Sequence, residues 1–133
     1  MSLILVVDDD GDLRALYTEL LEEQGHQVVG APDGLAALEL ASRHKPELVL
    51  TDWHMPRMDG IELCKALRRN VLLCHTRLIL HSSDVVPEPW HADLCLRKTG
   101  DPSAIELAVE ALLATAHRAC PSWRPASACA LHP

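Results

Sequence analysis

The sequence predicts a single α/β domain: a doubly wound, five-stranded parallel sheet covered by helices on both faces. Short apolar runs of strand length alternate along the chain with longer segments whose apolar residues recur at helical spacing. Most of the short runs are apolar at successive positions, which is typical of strands buried on both faces. The 133 residues suffice for one domain with a substantial core.

Five segments are predicted as strands. Residues 3–7, which read Leu-Ile-Leu-Val-Val, form the clearest of them. Residues 27–31, 47–51 and 77–81 follow as the next three strands, and residues 93–97 form a weaker fifth strand. The spacing between most of these segments leaves room for a helix, as parallel connections require.

Four helices are predicted from apolar periodicity and from residues that begin or end helices. The first ends at Gly25, the second begins after Asp33, and the third begins after Asp59 and ends near Asn70. Asp101 is predicted to cap the last helix, with Pro102 at its first position. The first helix shows the periodicity most clearly, in Leu13, Leu16, Tyr17, Leu20 and Leu21.

Composition excludes several classes of protein. The net charge of −7 argues against a general nucleic-acid binder, and no apolar run approaches the length of a membrane span. The N-terminus lacks the features of a signal peptide, and the five cysteines form no C-x-x-C pair, so we expect a reducing, cytoplasmic setting.

We predict a domain over residues 1–118 and a flexible tail over 119–133, where three prolines occur without periodicity.

Polar side chains follow four of the predicted strands. Asp8 and Asp9 come after the first, Asp52 after the third, Ser82 after the fourth and Lys98 after the fifth. The carboxyl ends of parallel strands share one edge, where ligands bind in such sheets. A cluster of carboxylates there is unfavourable unless a cation neutralises it, and Mg²⁺ prefers oxygen ligands. The set suits phosphoryl transfer to a carboxylate, with a lysine stabilising the transferred oxygens.

These motifs resemble those of the receiver domain of two-component response regulators, the CheY-like family. The resemblance covers roughly residues 3–117 and rests on V-V-D-D at 6–9, on T-D-W-H-M-P-R-M-D-G at 51–60, and on Ser82 and Lys98. It implies a flavodoxin-like strand order of 2-1-3-4-5.

The resemblance also implies a phosphoacceptor and a Mg²⁺ site. Asp52 matches the phosphoacceptor, which also contacts the metal. Asp9 matches the direct metal carboxylate, and Asp8 matches the acidic neighbour that holds metal-bound water. His54 matches the position whose backbone carbonyl ligates the metal.

The resemblance further implies how such a domain would signal. Ser82 matches the switch hydroxyl, and Lys98 matches the lysine that pairs with acceptor and phosphate. The expected donor is a histidine kinase or a histidine phosphotransfer protein, and the expected output is protein–protein contact. We expect no nucleic-acid binding, no membrane binding and no turnover of a separate substrate, while a homodimer stays open.

Three features depart from the family pattern. Lys98 is followed by Thr99-Gly100 instead of proline, so the cis peptide that proline favours is expected to be absent. Cys95 stands where the family carries an aromatic switch residue. Residues 83–92 are short and contain two prolines, so the helix between the fourth and fifth strands is predicted to be lost or cut to a turn.

Alternative interpretations remain at the level of sequence. Asp52 could be a solvated loop acid, Lys98 a surface lysine, and Ser83 instead of Ser82 the switch residue. His54 could be a side-chain metal ligand, a general base, or an exposed residue that governs the access of water to the phosphoryl group, a role also open to Asp84.

Other functions and contexts also stay open. A phosphorylation-independent interaction module is the second hypothesis. A phosphatase of the same topology is disfavoured, because it would need an acid at the position of His54. The chain could act as a stand-alone regulator or a phosphate sink, or it could be a piece of a larger hybrid protein.

Overall fold

The computed structural model describes residues 2–86, 91–98 and 101–114, and it confirms the predicted fold class. The strands all run parallel, in the order β2-β1-β3-β4-β5. The strands are β1 (Leu3–Val7), β2 (Gln27–Ala31), β3 (Leu48–Asp52), β4 (Arg77–Ser82) and β5 (Leu94–Arg97). The helices are α1 (Gly11–Glu23), α2 (Gly34–His44), α3 (Gly60–Arg69) and α4 (Ser103–Leu113).

Two apolar cores lie on opposite faces of the sheet. Successive side chains of a strand point to opposite faces, so a continuous apolar run supplies both cores at once. One core includes residues of α2 and α3, and the other includes residues of α1 and α4. The strand residues of the first core are Leu5, Val7, Ala31, Val49, Leu78 and Leu80; those of the second are Ile4, Val6, Leu48, Leu50 and Ile79.

Three helices begin at the acidic caps expected of them. The carboxylates of Asp10, Asp33 and Asp59 accept hydrogen bonds from backbone N–H groups in the first turns of α1, α2 and α3. Asp59 and Glu62 form a reciprocal capping box. These caps fix the chain at the edge of the sheet where β1 and β3 end.

Several predicted bounds are wrong by one residue. β3 covers Leu48–Asp52, so Asp52 is the last residue of the strand, and β4 likewise includes Ser82. β5 begins at Leu94, one residue later than predicted. Asp93 still contacts β4, because its backbone N–H donates to the carbonyl of Leu78 at 2.8 Å and its carboxylate accepts a 2.7 Å hydrogen bond from the backbone N–H of Leu78. Pro102 occupies the cap position of α4 instead of its first turn, while the carboxylate of Asp101 accepts a 3.0 Å hydrogen bond from the backbone N–H of Ser103.

The connection between β4 and β5 contains no helix in its described parts, residues 83–86 and 91–93. Residues 87–90 lie outside the described part of the chain. The guanidinium of Arg68, in α3, donates to the backbone carbonyl of His91 at 3.1 Å and to the carboxylate of Asp93 at 2.8 Å. A buried cation therefore holds the C-terminal end of this connection.

Some predictions fall on residues that the structure does not describe. These are the domain boundary after residue 118, the tail over 119–133 and the peptide bond between residues 98 and 99. Within the described residues, no helix has the length and apolar character needed to cross a membrane.

Candidate functional site

Three carboxylates meet at the carboxyl edge of the sheet. Asp8 and Asp9 follow β1, Asp52 ends β3, and these two strands are direct neighbours. One oxygen from each carboxylate lies within 4.8 Å of the others. Asp8 is buried, Asp52 is partly buried and Asp9 is exposed, so one side of the cluster faces the protein interior and the other faces solvent. Such a set fits a hard cation that keeps part of its water shell.

The surroundings of Asp8 disfavour the charged form of its carboxyl group. Burial raises the pKa of its carboxyl group, and the neighbouring charges of Asp52 and Asp9 raise this pKa further. A 2.9 Å hydrogen bond from the backbone N–H of Asp10 and the positive charge of Lys98 offset only part of that effect. The pocket therefore favours the arrival of additional positive charge.

Lys98 approaches the carboxylates from the end of β5, the strand at one edge of the sheet. It directly follows β5, and its backbone N–H donates to the carbonyl of Ser82 at 2.9 Å. Its Nζ lies 3.3 Å from Asp52 Oδ1 and 3.6 Å from Asp8 Oδ2. Burial lowers the pKa of this ammonium group, but Asp52 and Asp8 outweigh burial and leave the pKa above its ordinary value. Lys98 is therefore a cation of the pocket and not a free surface lysine.

The backbone around Asp52 is closely confined. A Cβ atom at Gly60 would lie 2.1 Å from the carbonyl oxygen of Asp52 and 2.7 Å from Leu80 Cδ1, so only glycine fits there. The backbone N–H of Gly60 donates to the carbonyl of Trp53 at 2.7 Å, and that of Trp53 donates to Asp52 Oδ1 at 2.8 Å. This packing fixes the orientation of the Asp52 carboxylate.

The loop after β3 is also attached to α2. Arg57 forms an ion pair with Asp33, which caps α2, and the carbonyl of Met58 accepts a 3.1 Å hydrogen bond from the backbone N–H of Gly34. No local pattern indicated this attachment, because Asp33 and Arg57 are separated by 24 positions. The attachment limits how far the loop beside Asp52 can move.

Ser82 lies at the same edge but does not join the carboxylates. It is almost fully buried, and its hydroxyl oxygen accepts a 3.0 Å hydrogen bond from the backbone N–H of Asp84. Ser83, the alternative, is exposed.

The side chain of His54 is directed away from the carboxylate cluster. Its Nε2 lies 2.9 Å from Asp84 Oδ2, and its ring stacks on Trp53 with centroids 4.1 Å apart. This contact connects the loop after β3 with the loop after β4. The contact between His54 and Asp84 was not predictable from the sequence, because exposed residues 30 positions apart leave no periodic pattern.

Comparison with known proteins matches this fold and sequence to one family. The family model of the response regulator receiver domain matches residues 4–88. The alkaline phosphatase synthesis transcriptional regulatory protein PhoP of Bacillus subtilis is 34% identical over 123 residues, which are 90% of this chain and 51% of PhoP. Sporulation initiation phosphotransferase F of the same organism is 42% identical over 65 residues, 49% of this chain and 52% of that protein. The matches thus span about half the length of these two relatives.

Solved structures agree in fold over nearly their whole length. The chemotaxis protein CheY4 of Vibrio cholerae superposes with a TM-score of 0.78 at 26% identity, covering 84% of this chain and 98% of CheY4. The response regulator protein TrrA of Thermotoga maritima, in complex with Mg²⁺–BeF, superposes with a TM-score of 0.78 at 28% identity, covering 84% of this chain and 99% of TrrA.

Proposed function

This chain belongs to the response regulator receiver domain family, and from that premise we propose that Asp52 accepts a phosphoryl group from a histidine kinase or a histidine phosphotransfer protein. The arrangement around Asp52 is the main support. Its carboxylate ends a central strand, lies beside two further carboxylates and is 3.3 Å from the ammonium group of Lys98.

In the proposed transfer, a carboxylate oxygen of Asp52 forms a bond to phosphorus. The bond between phosphorus and the imidazole nitrogen of the donor histidine breaks, and that nitrogen takes up a proton. The ammonium group of Lys98 stabilises negative charge on the transferred oxygens, because it already lies beside the acceptor. The hydroxyl of Ser82, rather than that of the exposed Ser83, then donates a hydrogen bond to the phosphoryl group.

The same proposal assigns Mg²⁺ as the cation of the pocket. The three clustered carboxylate oxygens are hard ligands, and burial raises the pKa of Asp8, so a bound cation would stabilise its charged form. Asp8, Asp9 and Asp52 would hold the ion, together with the backbone carbonyl of His54. When bound, Mg²⁺ would neutralise negative charge on the phosphoryl oxygens. The Mg²⁺–BeF complex of the similar protein TrrA supports this assignment.

We propose that output occurs by protein–protein contact in the cytoplasm, without turnover of a separate substrate. Among the described residues, Cys64 and Cys95 carry free thiols, as a reducing compartment favours.

A phosphorylation-independent interaction module is the second candidate. It is favoured by the β4–β5 connection, which lacks a helix in its described residues, and by the thiol of Cys95 in place of an aromatic ring. The two candidates differ in one respect: an Asp52→Asn variant that retains full partner binding in all conditions would support the module.

The proposed function is tested by intact mass spectrometry after incubation with acetyl phosphate and Mg²⁺. The wild type should gain one phosphoryl group, whereas Asp52→Asn and a wild-type sample with EDTA should gain none. Circular dichroism of each sample establishes that the protein is folded. No addition to folded wild-type protein would contradict the proposal and favour the interaction module.

A further inference from the structure

Arg14, the fourth residue of α1, contacts the turn that carries two of the clustered carboxylates. Its Nη1 donates a 2.7 Å hydrogen bond to the backbone carbonyl of Asp8. That carbonyl belongs to the peptide bond that joins Asp8 to Asp9. The backbone N–H of Arg14 donates to the carbonyl of Asp10 at 2.9 Å. Arg14 therefore contacts both ends of this turn.

The peptide between Asp8 and Asp9 lies beyond the ladder of the sheet. The pairing of β1 with both neighbouring strands ends at Val7. The backbone N–H of Asp8 still donates to the carbonyl of Ala31 at 3.1 Å, whereas its carbonyl accepts from the side chain of Arg14. Because a backbone carbonyl away from water needs a partner, the orientation of this peptide depends on Arg14 and not on a strand.

The side chain of Arg14 reaches this peptide by crossing β2 at a glycine. A Cβ atom at Gly30 would lie 3.2 Å from Cδ and 3.4 Å from Cγ of Arg14, which is a tight contact with the aliphatic stem. A larger side chain at this position would compete with that stem for the same space. The absence of a side chain at Gly30 therefore leaves room for the path from α1 to the Asp8 carbonyl.

We propose that Arg14 is a positioning residue for the Mg²⁺ site. Its hydrogen bond holds the peptide between Asp8 and Asp9 so that an oxygen of each carboxylate lies within 4.8 Å of the other and of Asp52. The inference rests on the proposed function, because it concerns the same metal site. Groups that hold metal ligands in place set metal affinity, and their loss weakens binding about 10- to 100-fold.

The charge of Arg14, taken alone, predicts the opposite effect. A guanidinium group beside the carboxylates repels a cation, so removal of its charge by itself would strengthen Mg²⁺ binding. Loss of the hydrogen bond to Asp8 would release the peptide and weaken Mg²⁺ binding. The direction of the change in affinity therefore distinguishes positioning from repulsion.

Titration with Mg²⁺, followed by tryptophan fluorescence, measures this affinity, because the backbone N–H of Trp53 donates to Asp52 Oδ1 at 2.8 Å. Arg14→Met keeps much of the stem and should bind Mg²⁺ about tenfold more weakly than the wild type. Gly30→Val fills the path of the stem but keeps the charge, and it should also weaken binding. Arg43→Met removes an exposed cation of α2 and should match the wild type.

Phosphorylation by acetyl phosphate provides a second readout. The Mg²⁺ concentration that gives half the maximal rate should rise about tenfold in Arg14→Met. The rate at saturating Mg²⁺ should equal that of the wild type, because Arg14 acts through the metal ligands. Circular dichroism in EDTA establishes that each variant is folded.

Three results would overturn the proposal. Folded Arg14→Met protein that binds Mg²⁺ as tightly as the wild type, or more tightly, would remove the role of Arg14 and leave the proposed function intact. A rate that stays low at saturating Mg²⁺ would place Arg14 in the transfer step itself. No saturable fluorescence change in the wild type would overturn the Mg²⁺ assignment and this inference with it.

Discussion

Lys98 Nζ lies 3.3 Å from Asp52 Oδ1 although Lys98 follows β5, Asp52 ends β3, and β4 lies between these two strands. The same ammonium group lies 3.6 Å from Asp8 Oδ2, so one cation links the ends of three strands. The carboxylate that we propose as the acceptor is thus held beside a positive charge. This preorganisation is the main electrostatic feature of the proposed site.

Replacement of Lys98 should slow phosphorylation of Asp52. Lys98→Met removes the cation nearest the transferred oxygens, so we expect the rate with acetyl phosphate to fall about 100-fold. The rate is measured by intact mass against time. Lys65→Met, a partly buried lysine of α3, is the matched control and should retain the wild-type rate. A Lys98→Met rate equal to that of the control would remove Lys98 from the mechanism.

Asp8→Asn should stabilise the metal-free protein in a pH-dependent manner. The pKa of Asp8 is raised in the folded chain above its ordinary value of 3.8. At pH values between this ordinary pKa and the higher pKa of the folded state, the folded state therefore binds more protons than the unfolded state. Stability contributed by the protonated group is therefore lost as pH rises through that window.

Thermal melts in EDTA between pH 4 and pH 8 test this expectation. The Tm of Asp8→Asn should exceed that of the wild type by an amount that grows as pH rises and then levels off. Addition of Mg²⁺ should stabilise the wild type more than the variant. A Tm difference that is the same at every pH would contradict the assigned electrostatics of Asp8.

Gly60→Ala should destabilise the fold and displace Asp52. The added methyl group would lie 2.1 Å from the Asp52 carbonyl oxygen, so the backbone must shift at a cost of about 3 kcal/mol. Gly11→Ala is the matched control, because Gly11 also begins a helix but its nearest contact would be the end of the Arg14 side chain at 3.7 Å. In denaturant unfolding, Gly60→Ala should therefore be less stable than Gly11→Ala. Equal stability of the two variants would show that the backbone around Asp52 can shift at little cost.

The His54–Asp84 contact should affect the lifetime of the phosphoryl group more than the stability of the protein. Both side chains are about 60% exposed, so loss of the pair should change unfolding free energy by less than about 1 kcal/mol. Asp84→Ala should nevertheless speed the loss of the phosphoryl group, because the contact connects the two loops beside the pocket.

The decay of phosphorylated protein, followed by mass, measures that lifetime. His54→Ala should have a similar effect, and the double variant should add little. Glu39→Ala breaks an equally exposed ion pair with Arg43 on α2 and should leave the decay unchanged. Unchanged decay in Asp84→Ala would show that the contact does not limit access of water.

Arg68→Met should be strongly destabilising. Arg68 and Asp93 form an ion pair in which both side chains are at most 5% exposed, and removal of one partner leaves the other charge buried. We expect a loss of about 3 to 5 kcal/mol in denaturant unfolding. Arg69→Met, at the exposed neighbouring position, should cost little. A small effect at Arg68 would mean that the connection is held by other contacts.

Much of the fold was predictable because short apolar runs determine buried strands. The run Leu3–Val7 and the acidic caps Asp10, Asp33 and Asp59 each use local rules that need no tertiary information. The parallel arrangement then places Asp8 and Asp52 at one edge. Residues at the ends of elements were less well predicted, because the hydrogen bond from Leu78 to Asp93 and the cap of α4 depend on neighbours distant in sequence or on loop geometry.

Polar residues within apolar patterns were the main omission. Arg68 lies on the same helical stripe as Leu63, Cys64 and Leu67, a position that signals burial despite its charge. His81 likewise follows directly on the apolar run at 78–80 in β4 and is buried with it. Their partners come from other elements, so the sequence could indicate the burial of these residues but not the contacts that they make.

The most direct test of the central claim is to identify the phosphorylated residue. Protein treated with acetyl phosphate and Mg²⁺ is reduced with sodium borohydride, which converts an aspartyl phosphate into homoserine, and its peptides are sequenced by tandem mass spectrometry. The account predicts homoserine in place of Asp52 and at no other aspartate. Homoserine in place of Asp8 or Asp9, or no reduced aspartate in folded protein, would contradict it.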